Sequence, residues 1–196
     1  MLDAAGAAFA AHGFHSASMD AIAAAAGISK PMLYHYFDSK EGLYAAYLRR
    51  SGGALLEAVR TAAPRDASPR DRLASGVLAF FTYVEEHRQG WSVLYNEAAS
   101  QVGGAVAGVA AIRSRLADLI GSALPIDDDL ARSAHAHAVA GAGESLANWW
   151  LDHPELPKER LVDLLLRLAD AGQRNSPVTG PAPTGRSRSP RASRTR

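Results

Sequence analysis

Apolar residues recur at helical spacing along most of the chain, and Gly, Pro and Ser breakers divide them into about nine segments. From Leu2 to Ala11, Leu2, Ala5 and Phe9 share one face, and His12-Gly13 ends the segment. Met19, Ile22, Ala23 and Ala26 follow at i, i+3, i+4 and i+7, the pattern of a buried helical stripe. Gly27 stands where a helix end favours positive φ. Ser29 can cap a new helix. Pro31 sits in the first turn of that helix, where a missing N–H costs nothing. Two short helices joined by a glycine-containing turn make a helix-turn-helix, here spanning Ser18 to Phe37.

A fourth helix runs from Lys40 towards Ala62, capped by Asp38 or Ser39, with Leu43, Tyr47, Ala54, Leu55 and Val59 inward. Pro64 and Ser68-Pro69 break the chain. A fifth helix then carries Leu73, Val77, Phe80, Phe81 and Val84 and ends near His87. Gln89 to Ser100 reads as a short helix with Trp91, Leu94 and Tyr95. Gly103-Gly104 opens a seventh with Val106, Val109, Ile112, Leu116, Leu119 and Ile120, ending before Pro125. Asp127-Asp128-Asp129 is placed to cap a long eighth helix at its positive end. That helix reaches Trp149, Trp150 and Leu151 and stops at His153-Pro154. The ninth, from Pro157 to Gly172, places Leu161, Leu164, Leu165 and Leu168 on one stripe. With no competing strand pattern or internal repeat, the expected fold is all-α. An N-terminal three-helix helix-turn-helix domain (1–48) precedes a larger helical domain (49–175).

Composition narrows the chemistry. The 196 residues include no cysteine, which excludes disulfides, thiolate zinc sites and a cysteine nucleophile. No apolar run approaches the roughly 18–20 residues of a membrane span, and no signal segment opens the chain, so a cytoplasmic location without membrane contact is expected. The formal charge of +1 hides an asymmetry. Residues 176–196 contain Arg186, Arg188, Arg191, Arg194 and Arg196 and no acid, so the remainder carries −4. This Pro/Ser/Gly-rich stretch has too little apolar surface to offset chain entropy and reads as a disordered tail. His135 and His137, two apart on a helix, point roughly 200° from each other and cannot share a metal ion. No Walker loop, dinucleotide fingerprint or nucleophile elbow is present, so neither an enzyme nor a cofactor is expected.

The string GISKPMLYHYFDSKEGLYAAYL, preceded by LDAAGAAFAAHGF, resembles the TetR (tetracycline-repressor-like) family of one-component transcription regulators over about Leu2 to Leu48. The resemblance implies a DNA-binding regulator, a repressor released from double-stranded operator DNA by a small-molecule effector, which the apolar bias of the middle helices suggests is hydrophobic or amphipathic. By resemblance, Ser29, Lys30, Pro31 and Met32 reach base edges, where Lys30 could donate to guanine and Met32 touch a thymine methyl. Tyr34, His35 and Tyr36 occupy positions that in the family mostly touch phosphates. Lys40 and Ser18, at helix starts, can meet phosphates as well.

Phe80, Phe81, Tyr83, Trp91, Tyr95, Asn96, His135 and Glu144 are the candidates for an effector pocket. The last two helices, with the small-residue run Ser133 to Gly143, Trp149 and the final leucine stripe, suit a homodimer through a four-helix bundle. Two departures from the family pattern bear on strength. The first helix is already under way at Met1-Leu2, where relatives usually carry a basic arm. Residues 1–48 also hold only Lys30 and Lys40 against Asp3, Asp20, Asp38 and Glu41. A lower affinity and shallower salt slope than with an arm are therefore expected. The competing expectation is a helical ligand-binding or interaction protein with weak or vestigial DNA binding.

Overall fold

The computed structural model describes residues 1–64, 66–95 and 103–174. Asn96, the side chain of Tyr95 and the arginine-rich tail lie outside the described residues. Nine helices fill the described chain, with no strand among them: α1 (Leu2–Ser16), α2 (Met19–Ala25), α3 (Lys30–Phe37), α4 (Lys40–Thr61), α5 (Pro69–Glu86), α6 (Arg88–Tyr95), α7 (Gly103–Ser122), α8 (Asp129–Leu151) and α9 (Lys158–Arg174).

Local chemistry explains most boundaries. Side-chain oxygens of Ser18, Ser29, Ser39, Ser68 and Asp128 each accept an N–H from the first turn of α2, α3, α4, α5 and α8. Pro69 occupies the first turn of α5, as Pro31 does in α3. Alpha-helix α2 ends in a Schellman motif: the Ile28 N–H donates to the Ala23 carbonyl and the Gly27 N–H to Ala24, both at 3.1 Å. Gly27 closes it at φ 68°, where a side chain would be strained. Helix α1 departs from the expected stop at His12-Gly13. Gly13 (φ 71°, ψ 169°) breaks its regular path, and one further turn to Ser16 swings Phe14 into the core. There Phe14 meets the Tyr44 ring at 5.0 Å.

Helix α4 is the common spine. Near its start it packs against α1, α3 and α6, and further on against α5 and α7. Because it is covered on several sides, Tyr44 and Leu48 are buried along with Leu43, Tyr47 and Leu55, whereas Ala54 is exposed. Helices α7 and α8 pack together, and α9 closes the bundle against α5 and α8. Of the leucines expected on one stripe of α9, Leu161 and Leu165 are buried, but Leu164 and Leu168 remain 51% and 54% exposed. The apolar face of α9 is wider than the chain itself covers.

Candidate nucleic-acid interface and effector cavity

The turn between α3 and α4 sets the attitude of the second motif helix. Asp38 adopts φ 58°, ψ −41°, and the Ser39 N–H donates to the Phe37 carbonyl at 2.6 Å. This is a γ-turn of the rarer, strained hand. Gly42 lies directly against the Phe37 carbonyl, so a Cβ there would collide with backbone. Leu33 is fully buried and Phe37 half-buried, which pins one face of α3 to the core.

The rest of α3 is bare. Lys30, Pro31, Met32, Tyr34, His35 and Tyr36 are all exposed, with Met32 at 45%, Tyr34 at 39% and Tyr36 at 60%. Three large apolar or aromatic side chains left in water on one eight-residue helix are not explained by packing of this chain. Ser29 and Ser18 are exposed and use their hydroxyls as caps for α3 and α2. Lys30 Nζ lies 2.8 Å from Asp20 Oδ2, tying α3 to α2, and this carboxylate holds the ammonium above its ordinary pKa. Lys40 turns inward from the start of α4. Its Nζ donates to the His15 carbonyl at 2.8 Å and sits 5.0 Å over the Phe14 ring. Lys30, Met32, Tyr34, His35 and Tyr36 thus all remain accessible around the exposed circumference of α3, and Lys40 makes a bracing contact to α1.

A cavity of about 210 Å³ opens between α4, α5, α7, α8 and α9. Leu73, Val77, Phe80, Leu116, Val139 and Leu165 form its walls. Space exists there because Gly76, Ala123, Ala140 and Gly143 bring too little side chain to fill it. Of the pocket candidates among the described residues, Phe80 alone lines this space. Phe81 and Trp91 are fully buried in an aromatic cluster with Phe80 and Trp150. Trp91 Nε1 donates to Asn148 at 2.9 Å. Tyr83 faces a separate polar cleft, its hydroxyl donating to the Ser51 carbonyl at 2.9 Å. Burial pushes its pKa up to about 12. His135 places Nδ1 2.9 Å from the Ala131 carbonyl, and Glu144 accepts both contacts from Arg113 Nε at 2.9 and 3.1 Å. Large aromatics mark where the core is full, whereas this void is marked by small residues.

A helix-turn-helix with a bare second helix, set on a helical body with an apolar cavity, defines a helix-turn-helix transcription regulator. The chain belongs to the TetR family. Residues 1–47 match the family model described as bacterial regulatory proteins of the tetR family, and residues 69–172 match the tetracyclin repressor-like C-terminal domain. The chain is 32% identical over 186 residues to the HTH-type transcriptional activator FasR of Mycolicibacterium smegmatis, covering 91% of this chain and 84% of that one. A TetR-like transcriptional regulator from Rhodococcus sp. RHA1 superposes with TM-score 0.75 at 39% identity, covering 89% and 94% of the two chains. A tetR-family regulator from Streptomyces coelicolor does so with TM-score 0.76 at 29% identity, covering 88% and 78%. The chain is therefore a DNA-binding transcription regulator, of a family whose members bind operator DNA and typically act as dimers with small-molecule effectors. No helix among the described residues is long and apolar enough to cross a membrane.

Proposed function

We propose that this chain binds palindromic operator DNA as a homodimer, with the bare face of α3 in the major groove, and is released when a small apolar molecule enters the cavity behind α4. The observation that carries the reading is the exposure of Met32, Tyr34 and Tyr36 on a helix whose other face is pinned by Leu33. Lys30 and the N-terminal turn of α3 supply base-edge donors and contacts, and Tyr34, His35 and Tyr36 reach flanking phosphates. Ser18 and Ser29 add contacts at helix starts, while Lys40, engaged with the His15 carbonyl, holds α4 against α1. Release from a site that overlaps a promoter makes such a protein a repressor.

The dimer surface is the exposed side of α8 and α9. Ala134, Ala138, Gly141, Ser145 and Trp149 of α8 are exposed, as are Leu164 and Leu168 of α9, and the two helices pack together. Close helix approach along the small residues of α8 buries the leucines across a two-fold axis. Residues 1–48 and 49–175 act in this scheme as reading head and sensor, with α4 as the link.

A binding selection from random duplexes, together with the DNA flanking the coding region, tests the reading. Enrichment of an inverted repeat that the purified protein shifts on a gel is the expected result. The competing reading, a ligand-binding protein with residual DNA affinity, draws support from the Lys30–Asp20 pairing. Recovery of no sequence above background would favour it.

A further inference from the structure

We infer that the cavity ligand is an anionic amphiphile, its apolar body among α5, α7, α8 and α9 and its head group at a rim formed by Arg72 and Arg60; this rests on the effector reading above. The walls are aliphatic and aromatic, so a sugar or other polyol would lose its hydration there without replacement hydrogen bonds. At about 210 Å³ the space exceeds the ~150 Å³ that admits a benzene ring, enough for an extended apolar group.

Charge at the rim chooses the head. Among the described residues that line the cavity, the charged ones are Arg60 and Arg72, and no acid is among the lining residues. Arg60 directs Nε and one terminal nitrogen at Glu57, 2.9 and 2.6 Å away, which offsets much of its charge. Arg72 is half-buried and anchored by one N–H to the Ala67 carbonyl at 3.1 Å. Its guanidinium retains further donors in the fork geometry that suits a carboxylate or phosphate. Arg72 is therefore the principal head-group contact and Arg60 the secondary one. A cationic head meets repulsion at the same rim.

Decanoate, decanol and decyltrimethylammonium share a chain and differ in head charge. Titrated calorimetrically into the full chain, decanoate is expected to bind about tenfold tighter than decanol, with the ammonium weakest. Arg72→Gln, a change at the rim, brings decanoate to the affinity of decanol, and Arg60→Gln weakens it less. Gly76→Leu fills the cavity, gains helix propensity and abolishes binding of all three, with the helical circular-dichroism signal retained. Ala140→Leu provides a second filling variant should the first not fold. Equal affinity across the three heads, no binding by any of them, indifference to Arg72→Gln, or binding that survives a folded filling variant would overturn the inference. Decanoate that binds as expected yet leaves the selected duplex bound would leave the anionic site standing and refute the effector reading alone.

Discussion

Lys30 sits at the tip of α3, yet its ammonium is shared with Asp20 across the turn. With both groups exposed, the pair contributes little to stability and mainly lowers the positive potential of the DNA-facing surface. Asp20→Asn is expected to raise affinity for the selected duplex several-fold and to steepen the dependence of log K on log salt by about one phosphate contact, read by fluorescence anisotropy at several salt concentrations. An unchanged slope would show that Lys30 does not reach DNA. Gly42 is as specific at its own position, because it lets α4 start under the Phe37 carbonyl and so sets the angle of α3. The Ser-Lys pair that opens α4 is plain in the sequence. The need for Gly42 is not, because it arises only when two backbones meet.

Helix α4 is held to the sensor side by two buried tyrosines. Tyr44 donates its hydroxyl to the Val93 carbonyl of α6 at 3.0 Å, and Tyr83 donates to the Ser51 carbonyl of α4. Burial raises both phenols to about 12 from an ordinary value near 10. A raised folded pKa makes their contribution complete below about pH 10 and lost as pH climbs through 12. The Tyr44→Phe/Tyr83→Phe pair should thus show a flatter fall in urea stability over that window than the wild type; parallel curves would refute the link. Helix α9 poses a different problem, with Leu164 and Leu168 exposed beside a buried Leu161 and Leu165. Leu164→Glu/Leu168→Glu should convert a dimer to a monomer in light scattering with the helical signal intact. A wild type that is already monomeric would remove the proposed interface.

Most elements were legible in the sequence because their causes are local: Ser29 and Pro31 start α3, Gly27 ends α2, and Asp128 starts α8. Periodicity alone could not say which neighbours cover a helix. Ala54, expected inward on α4, is exposed for that reason while Tyr44, outside the expected stripe, is buried, and half the α9 stripe stays outside. The cavity was the least legible feature, since a void is a property of several helices at once. Trp91 and Phe81 draw attention by size, whereas Gly76 and Gly143 create the space.

At the scale of the whole molecule, a head with two lysines against four acids, a stiff spine and an apolar chamber have to act together. Two phosphate-poor heads bind DNA usefully only when a dimer presents both, because each adds its contacts to a single association. The cavity lies against the last turns of α4, at Val59 and Arg60, while the opposite end of the same helix braces α3 through Ser39 and Gly42. A ligand shifts the spacing of two reading helices only by favouring one placement of α4 over another. That spacing must match successive major-groove faces, about 34–36 Å apart. Hydroxyl-radical footprinting of the selected duplex reads this geometry directly, comparing the wild type with Met32→Ala/Tyr34→Ala/Tyr36→Ala, whose changes lie on an exposed face. Two protected tracts one helical turn apart, lost in the triple variant, are the predicted result; a footprint that the triple variant reproduces would contradict the assignment of α3 as the DNA-reading helix.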